Sequence, residues 1–420
     1  MKNRLLLLAL LAASTKGQVV PFSCGVGHAT SEQLQELSAL TADGSSIIAS
    51  NSNEVITVPV CSYIFNGRHN DDEITDQMLQ DQLDYLNQGF TAASCCDVSD
   101  SWCNPVDCSV ETNIQFAWAV VTPKGTLAEG HTTPNIQDEG ACSFRLFRPL
   151  WIRTNSVNGF FMKRLLRKGG PNVLNIYWSN PLGSIAYATF PTSSKRKHDG
   201  VVINPAAVTG GDLPGYGRGS TLIHEVGHWL GLLHTFQGSC ESSDGIDDTP
   251  MEYAPFRGCG ELPGYPLDRD SCPNNPGTDP VHNFMDYSGD LCWYKFTAGQ
   301  MAVMRASWFK YRAINTIVLQ EGQPSEAITL VARGRQLYSL ITSNAIRCTA
   351  SATEGDIGLY LQWRHEPRYI AFPFINSCST HGLPDQSCTV RRPRQQEVLY
   401  IGVKSSFVPV TDLTVTCVAV

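Results

Sequence analysis

The pattern of apolar and polar positions changes along the chain, and its first three quarters mix two periodicities. Residues 55–65 are β-branched and aromatic, as expected for a first strand. The next apolar positions recur every three or four residues, which predicts an amphipathic helix: Leu79, Leu83, Leu86 and Phe90. Further strands are predicted at residues 116–121, 173–178 and 200–204. Helices among strands predict an α+β fold.

The pattern becomes purely strand-like near the C-terminus. The last helix is predicted after Thr297, which has the spacing of a capping box with Gln300. Residues 320–326 contain Gly and Pro and are the predicted linker. Alternating apolar positions follow, such as Leu413 and Val415, and predict a small β-sandwich over residues 325–420. A chain of 420 residues exceeds one typical core, so two folded units are expected.

The N-terminus has the features of an export signal. Charged residues precede the apolar run from Leu5 to Ala13, so residues 1–17 are predicted to be a signal peptide and the protein to be secreted. Residues 18–52 are polar and predict a short pro-segment, followed by a catalytic domain over 53–318. No stretch approaches the ~20 apolar residues that a membrane span needs. We therefore expect no membrane partner.

The charge of the chain argues against nucleic acid as a partner. The formal net charge is −8, and removal of Lys2, Arg4 and Lys16 with the signal peptide changes it to −11. An acidic mature protein has no electrostatic attraction to phosphate backbones. We expect a monomer that acts on protein or peptide substrates.

One string carries the strongest chemical signal. Residues 224–234 read His-Glu-Val-Gly-His-Trp-Leu-Gly-Leu-Leu-His. On a helix, His224 and His228 lie one turn apart on the same face and can bind one Zn²⁺. Gly231 can adopt a positive φ, which lets the chain leave the helix and bring His234 in as a third ligand. The fourth position then stays open for water.

Glu225 follows the first predicted ligand and is the candidate general base. Its carboxylate can take a proton from a zinc-bound water while that water attacks a peptide carbonyl. The alternative is a buried amphipathic helix that carries histidines by chance. With ten His and 35 Gly in the chain, the five specified positions would coincide in roughly one chain in tens of thousands.

The fifteen cysteines indicate an oxidising compartment. They form three clusters of even number, at residues 61–142, 240–292 and 348–417, and Cys24 stands alone. The even clusters suggest up to seven bridges, whose connectivity in the 61–142 and 348–417 clusters the sequence does not determine.

The zinc string and a later methionine turn resemble the metzincin metallopeptidases, in particular the fungal-type secreted members of the pappalysin family. The matching segments are residues 221–238, 247–250 and 282–288, in the order typical of that family. The resemblance covers residues 58–312. It implies a zincin-like domain with a mixed twisted sheet, an active-site helix, a backing helix and an irregular lower subdomain. In such a protease an edge strand at residues 200–204 can pair with an extended substrate.

The resemblance also implies roles for individual residues. Met285 would form the apolar floor beneath the metal, which is also its ordinary role as a core residue. Tyr287 would donate a hydrogen bond to the oxyanion of the tetrahedral intermediate, although a lone Tyr is more often core. The family pattern pairs Cys240 with Cys272 and Cys259 with Cys292. Asp290 is the nearest acid for a preference for basic substrates, which stays open.

Two further sites follow from the resemblance. A Cys-Gly pair in the pro-segment of latent members places a thiolate on the zinc, so Cys24 is the candidate latency ligand. A structural cysteine or an intermolecular bridge is the alternative. Family members bind calcium, and the candidate ligands are hard oxygens on one loop, unless it is a solvated acidic loop: Asp244, Asp247, Asp248 and Thr249.

The C-terminal domain resembles, more weakly, the bacterial pre-peptidase C-terminal domain. Residues 355–361 match its core motif except at Gly358, where the family usually has a second acid.

The sequence thus predicts a secreted zinc-dependent endopeptidase that is made as a zymogen. The alternative is a catalytically inactive, secreted adhesive or binding protein that retains the metzincin fold. Casein hydrolysis with and without a chelator separates the two.

Overall fold

The computed structural model describes Cys24 and most of the chain from residue 54 onward. The described residues are 24, 54–66, 74–95, 108–123, 125–192, 196–259, 266–313, 316–318, 320, 322–325, 328–330, 335–342, 345–354, 357–363, 378–382, 385–390, 397–405 and 410–419. The predicted signal peptide, and the predicted pro-segment apart from Cys24, lie outside these residues.

The chain divides into two compact units between residues 313 and 314. Among its described residues, the first unit contains one large mixed sheet and four α-helices. Its strands are β1 (Ile56–Asn66), β2 (Ile114–Val121), β3 (Leu127–Thr133), β4 (Ser143–Phe147), β5 (Arg153–Thr154), β6 (Leu174–Trp178), β7 (Asn180–Pro181), β8 (Ala186–Ala188) and β9 (Val201–Ile203). Its helices are α1 (Asp76–Gly89), α2 (Ser156–Leu166), α3 (Ser220–Trp229) and α4 (Ala298–Ser307). A π-helical turn, Trp308–Arg312, continues α4.

The large sheet has the order β3-β2-β1-β6-β9-β8, and β4 pairs with the second half of β1. Its inner strands are parallel, whereas β3 and β8 run antiparallel to their neighbours. The sequence placed the substrate-binding edge at residues 200–204, and this was wrong. β9 is enclosed between β6 and β8, so β8 is the edge strand.

Two apolar layers cover the two faces of this sheet. Alternate residues of β1 point to opposite faces, as expected for a strand. Val58 and Val60 pack in the layer that contains α1 and α3, while Cys61 and Tyr63 pack in the layer that contains Met162 of α2. The helices α2 and α3 therefore lie on opposite faces of the sheet.

Most predicted elements of the first unit are present. The helix predicted from Leu79, Leu83 and Leu86 is α1, which buries all three side chains. The capping box predicted at Thr297 opens α4, with reciprocal hydrogen bonds between Thr297 and Gln300. No helix was predicted from the sequence at the position of α2. Its apolar residues fall on several sides of the helix and do not form one stripe.

The second unit is a two-sheet sandwich. Its strands are β10 (Thr316–Val318), β11 (Ile328–Leu330), β12 (Arg335–Thr342), β13 (Ile346–Ser351), β14 (Ile357–Trp363), β15 (Cys378–Gly382), β16 (Asp385–Val390), β17 (Glu397–Ser405) and β18 (Val410–Ala419). The sheets have the orders β10-β12-β17-β14-β15 and β11-β18-β13-β16.

Buried residues of both sheets of this unit form a single core, to which Leu359 and Val403 contribute from one sheet and Ala350 and Val415 from the other. The predicted start at residue 325 is later than observed, because β10 already pairs with β12. The predicted α+β fold, with a zincin-like domain and a small sandwich, is confirmed. Among the described residues, no helix combines the length and apolar character needed to cross a membrane.

A buried ion pair fastens the end of α3 to the chain that leaves α4. Arg312 donates to Asp199 at 3.0 Å and to the carbonyl of Trp229 at 2.6 Å, and its guanidinium lies 3.5 Å from the centre of the Trp229 ring. The Trp229 indole donates to Asp199 at 3.1 Å. Arg312 and Asp199 are both buried, and the next cation, Arg167, lies 3.8 Å from the Asp199 carboxylate, so losing Arg312 leaves that charge poorly compensated.

We expect Arg312→Met to lower the stability of the first unit by roughly 3 kcal/mol, because it removes the nearer cation of the buried Asp199 carboxylate and leaves only Arg167, at 3.8 Å. The corresponding fall in Tm is roughly 6 °C for a unit of this size. Calorimetry measures it, with Lys310→Met as the control, since Lys310 lies on the same turn but is exposed. Equal Tm values for the two variants would contradict this role.

Candidate metal centre

The first two predicted zinc ligands lie on α3, which is buried along its whole length. The helix begins after Gly219, which has a left-handed φ of 98° and no side chain that could cap the helix. The carboxylate of Asp290 compensates, since it accepts hydrogen bonds from the amides of Arg218 (2.6 Å) and Gly219 (3.2 Å). Asp290 is itself buried, so the acid considered for basic specificity serves here to hold the start of α3.

The chain reverses directly after α3 and brings in the third predicted ligand. Gly231 has a φ of 103°, which confirms the expected left-handed conformation. The Nε2 atom of His228 lies 3.1 Å from that of His224 and 3.0 Å from that of His234. Three imidazole nitrogens therefore converge on one point at the end of the helix.

Backbone carbonyls determine the tautomers of the two helical histidines. Nδ1 of His224 lies 2.6 Å from the carbonyl oxygen of Phe284, and Nδ1 of His228 lies 2.7 Å from that of Leu232. A carbonyl can only accept, so both Nδ1 atoms carry the proton and both Nε2 lone pairs face the shared point. Burial lowers the pKa of both rings, that of His228 to about 4, which keeps them neutral. The donor set fits a zinc ion.

The thiol of Cys24 is the fourth member of this group. The sulfur of Cys24 and one nitrogen of each histidine all lie within 4.8 Å of one another. Cys24 also forms a parallel bridge with Ala186 of the edge strand β8. Its backbone amide donates to the phenol oxygen of Tyr287 at 3.2 Å. Cys24 thus contacts the edge strand and the histidine group at once.

Glu225 is fully buried beside the three histidines. In the described part of the chain, neither of its carboxylate oxygens receives a hydrogen bond from a nitrogen or oxygen donor. Burial raises the pKa of Glu225 to about 8, while the Cys24 thiol and the Lys163 ammonium act in the opposite direction. A buried carboxyl with such a pKa can accept and return a proton near neutral pH.

Met285 packs directly beneath α3. A β-carbon at Gly227 would lie 2.5 Å from the Met285 sulfur, so the helix needs glycine at this position to lie on the methionine turn. The amide of Met285 donates to the side chain of Asn283 at 2.9 Å. Asn283 and Gln300 exchange two further hydrogen bonds of 2.8 and 2.9 Å, which tie the methionine turn to the start of α4.

Sequence reasoning missed the function of Asn283 and the place of Phe236. The role of Asn283 could have been inferred from its position two residues before Met285, where its side chain can reach the backbone of the methionine turn. Phe236 stacks on the His234 ring with a centroid distance of 4.7 Å, and Tyr287 packs edge-on against both rings at 4.9 Å. These aromatic contacts hold the third histidine, which lies outside the helix.

The predicted calcium ligands are not brought together as one carboxylate cluster. The only group of three or more metal-binding side chains in the described ranges is the one around Cys24. Asp247 is exposed, and Asp248 accepts hydrogen bonds from Thr297 (2.7 Å) and the Gly299 amide (2.8 Å), so it caps α4. The four-residue calcium site stays a prediction.

Asp244 and Thr249 differ from the two other candidates. Both are buried, and Oδ2 of Asp244 and Oγ1 of Thr249 have no hydrogen-bond partner in the described part of the molecule. Burial raises the pKa of Asp244 to about 8.

Disulfides brace the irregular region after the zinc motif. The structure contains the bridges Cys240–Cys272 and Cys259–Cys292. Further bridges join Cys61 to Cys142, Cys95 to Cys108 and Cys348 to Cys417. Ion pairs also hold this region together. Arg269, which lies within the loops closed by the first two bridges, pairs with Asp279 and, at 2.6 Å, with Glu252.

Comparison with known proteins relates this chain to a family of peptidases. Residues 148–308 match the peptidase family model described as Pregnancy-associated plasma protein-A. An extracellular metalloprotease of Colletotrichum graminicola is 33% identical over 319 residues, which cover 73% of this chain and 96% of that protein. An extracellular metalloprotease of Sordaria macrospora is 34% identical over 334 residues, which cover 74% of this chain and 99% of that protein.

A solved structure has a similar fold. A mutant of Tannerella forsythia promirolysin superposes with a TM-score of 0.51 at 25% identity, covering 69% of this chain and 94% of that one. Because the fungal relatives align over almost their whole length, the chain belongs to the pappalysin-type metzincins, the family of pregnancy-associated plasma protein-A, and is a zinc metallopeptidase.

Proposed function

We propose that this protein is a secreted endopeptidase that uses one zinc ion and a glutamate base, and that it is made as a latent zymogen. The observation that carries the proposal is the convergence of three histidine nitrogens beside the buried carboxylate of Glu225. The extracellular destination is supported by the signal pattern at residues 1–17 and by the similarity to fungal extracellular metalloproteases.

His224, His228 and His234 would hold the zinc ion through their Nε2 atoms. When bound, zinc supplies a Lewis acid that lowers the pKa of a coordinated water towards ~7 and polarises a peptide carbonyl. The carbonyls of Phe284 and Leu232 keep the rings of His224 and His228 in the required tautomer and orientation. Met285 supports the helix from below and takes no part in the chemistry.

Glu225 accepts the proton of the attacking water and passes it to the leaving amine. Its carboxylate is suited to this because no nitrogen or oxygen donor of the described chain competes for it. The Tyr287 phenol donates to the oxyanion that forms as the carbonyl becomes tetrahedral. Once Cys24 has left, the outer side of the edge strand β8 would offer backbone groups to an extended peptide and so position the scissile bond.

We expect Glu225→Gln to reduce peptide hydrolysis by at least about 100-fold, because an amide cannot accept the proton. Zinc content measured by mass spectrometry should stay near one ion per chain. The matched control is Glu241→Gln, since Glu241 is exposed on the loop after the motif. Turnover that persists in Glu225→Gln would refute the assignment of the base.

Cys24 would keep the zymogen inactive by occupying the fourth zinc position. Three contacts support this assignment: the thiol lies within the histidine group, the backbone pairs with Ala186 of the edge strand, and the amide engages Tyr287. Cys24 would thus displace the zinc-bound water, pair with the edge strand that the substrate needs and engage the oxyanion donor. Cleavage after Cys24 would free all three at once.

Zymogen with Cys24→Ser is expected to hydrolyse a peptide substrate at least ten-fold faster than wild-type zymogen, because a hydroxyl is a far weaker zinc ligand than a thiolate. Initial rates are measured while mass spectrometry shows an intact pro-segment. The neighbouring Ser23→Ala zymogen is the control and should stay latent. Equal latency in the Cys24→Ser and wild-type zymogens would exclude the switch.

A calcium ion would be bound by Asp244 and Thr249, with backbone carbonyls completing the shell. The support is the pair of buried oxygen atoms without partners in this loop, since a buried carboxylate needs compensation. Asp248, which caps α4, is left out of the site.

In the wild-type protein, millimolar calcium should raise the Tm by several degrees, because an ion that binds only the folded state stabilises it. Asp244→Asn should abolish most of this shift, whereas the exposed Asp212→Asn control should retain it. Calorimetry with calcium and with a calcium-selective chelator measures the difference. A calcium shift that survives in Asp244→Asn would place the ion elsewhere.

A further inference from the structure

The helix α2 has an inverted distribution of polar and apolar side chains. Val157, Phe161 and Leu165 recur every four residues and are 63%, 53% and 70% exposed. Lys163, in contrast, is buried and donates to the carbonyl of Gly200 at 2.8 Å and to Thr189 at 3.1 Å. A helix that buries its lysine and exposes its leucine is not solvated in the usual way, and such a stripe marks a contact surface.

The stripe continues onto the segment before the helix. Leu150 is 81% exposed. The side-chain amide of Asn158 on α2 donates to the carbonyls of Leu150 (3.3 Å) and Arg153 (3.1 Å), so this segment lies against the helix. We call the resulting surface the α2 patch and define it by Leu150, Val157, Phe161 and Leu165 with the flanking Arg148, Arg153 and Arg164.

The charge around the α2 patch has one sign. Residues 140–198 contain ten Lys or Arg and no Asp or Glu, in a chain whose net charge is −8. Arg148, Arg153 and Arg164 are exposed, and none of them forms an ion pair with another described residue. Ordinary surfaces of an acidic protein intersperse both signs, so this region is complementary to an anionic partner.

We propose that the α2 patch docks the protein onto an anionic lipid surface. An exposed helix with protruding leucine and phenylalanine side chains can insert them at the acyl boundary, while the neighbouring arginines reach the lipid phosphates. An acidic protein or polysaccharide would use the arginines but would not require the bulky apolar stripe.

Docking through the α2 patch is compatible with catalysis. Met162 of α2 packs in the apolar layer on one face of the sheet, whereas Leu222 and Val226 of α3 pack in the layer on the other face. The proposed membrane contact therefore uses none of the side chains at the metal centre. The sequence predicted no membrane partner because hydropathy detects only segments that cross the bilayer. Docking through the α2 patch needs no such segment.

The test is flotation of the full chain with two kinds of vesicle, phosphatidylcholine alone and phosphatidylcholine with 30% phosphatidylserine. Wild type should float only with the anionic vesicles and should be released by high salt. Replacing Arg148, Arg153 and Arg164 by Ser should lower the partition coefficient on the order of 100-fold, since each cation near an anionic leaflet contributes about 1 kcal/mol. Replacing Phe161 and Leu165 by Gln should also abolish flotation.

The control is Tyr253→Gln, which removes an equally exposed aromatic residue outside the α2 patch and should leave flotation unchanged. All variants should keep wild-type Tm and peptidase activity, so loss of binding cannot come from misfolding. The proposal is overturned if wild type floats with neither vesicle, or if the patch variants float as well as wild type. Light scattering that shows a dimer lost in the patch variants, or heparin binding without flotation, would assign the surface to another partner and overturn it equally.

Discussion

The metal centre depends on hydrogen bonds between two buried imidazoles and two backbone carbonyls. Phe284 and Leu232 accept from Nδ1 of His224 and His228, and both carbonyls belong to the chain that follows α3. If either carbonyl moved, the ring could rotate or change tautomer, and its Nε2 would no longer face the shared point. The surrounding structure holds those carbonyls: Met285 lies under Gly227, and Asn283 joins the methionine turn to α4 through Gln300.

The two ends of α3 are held by buried charges, not by ordinary side-chain caps. Asp290 accepts from the amides that precede the helix, and Arg312 donates to the carbonyl of Trp229 at its last residue. Both charges come from distant parts of the chain. The short helix that carries two of the three converging histidines is thereby fixed at each end, which holds their imidazoles in position.

The sandwich and the peptidase unit illustrate different kinds of predictability. Alternation at Leu413 and Val415 identified β18 correctly, since a strand with one buried face must place every second residue in the core. The same reasoning failed for α2, where Phe160, Phe161 and Met162 are consecutive and point in different directions. Its apolar residues serve two surfaces, one against the sheet and one open to solvent, so no single periodicity describes them.

The sequence by itself determined what short spacing can encode. Ligands four residues apart on a helix, a glycine that must adopt a positive φ and a capping box at Thr297 are all local, and the structure contains each of them. Tertiary structure decided the rest. Only the order of strands makes β8 the edge, and only the fold brings Cys24 to histidines 200 residues away or commits Asp248 to a helix cap. These contacts depend on how distant segments pack, and no local pattern of side chains specifies that packing.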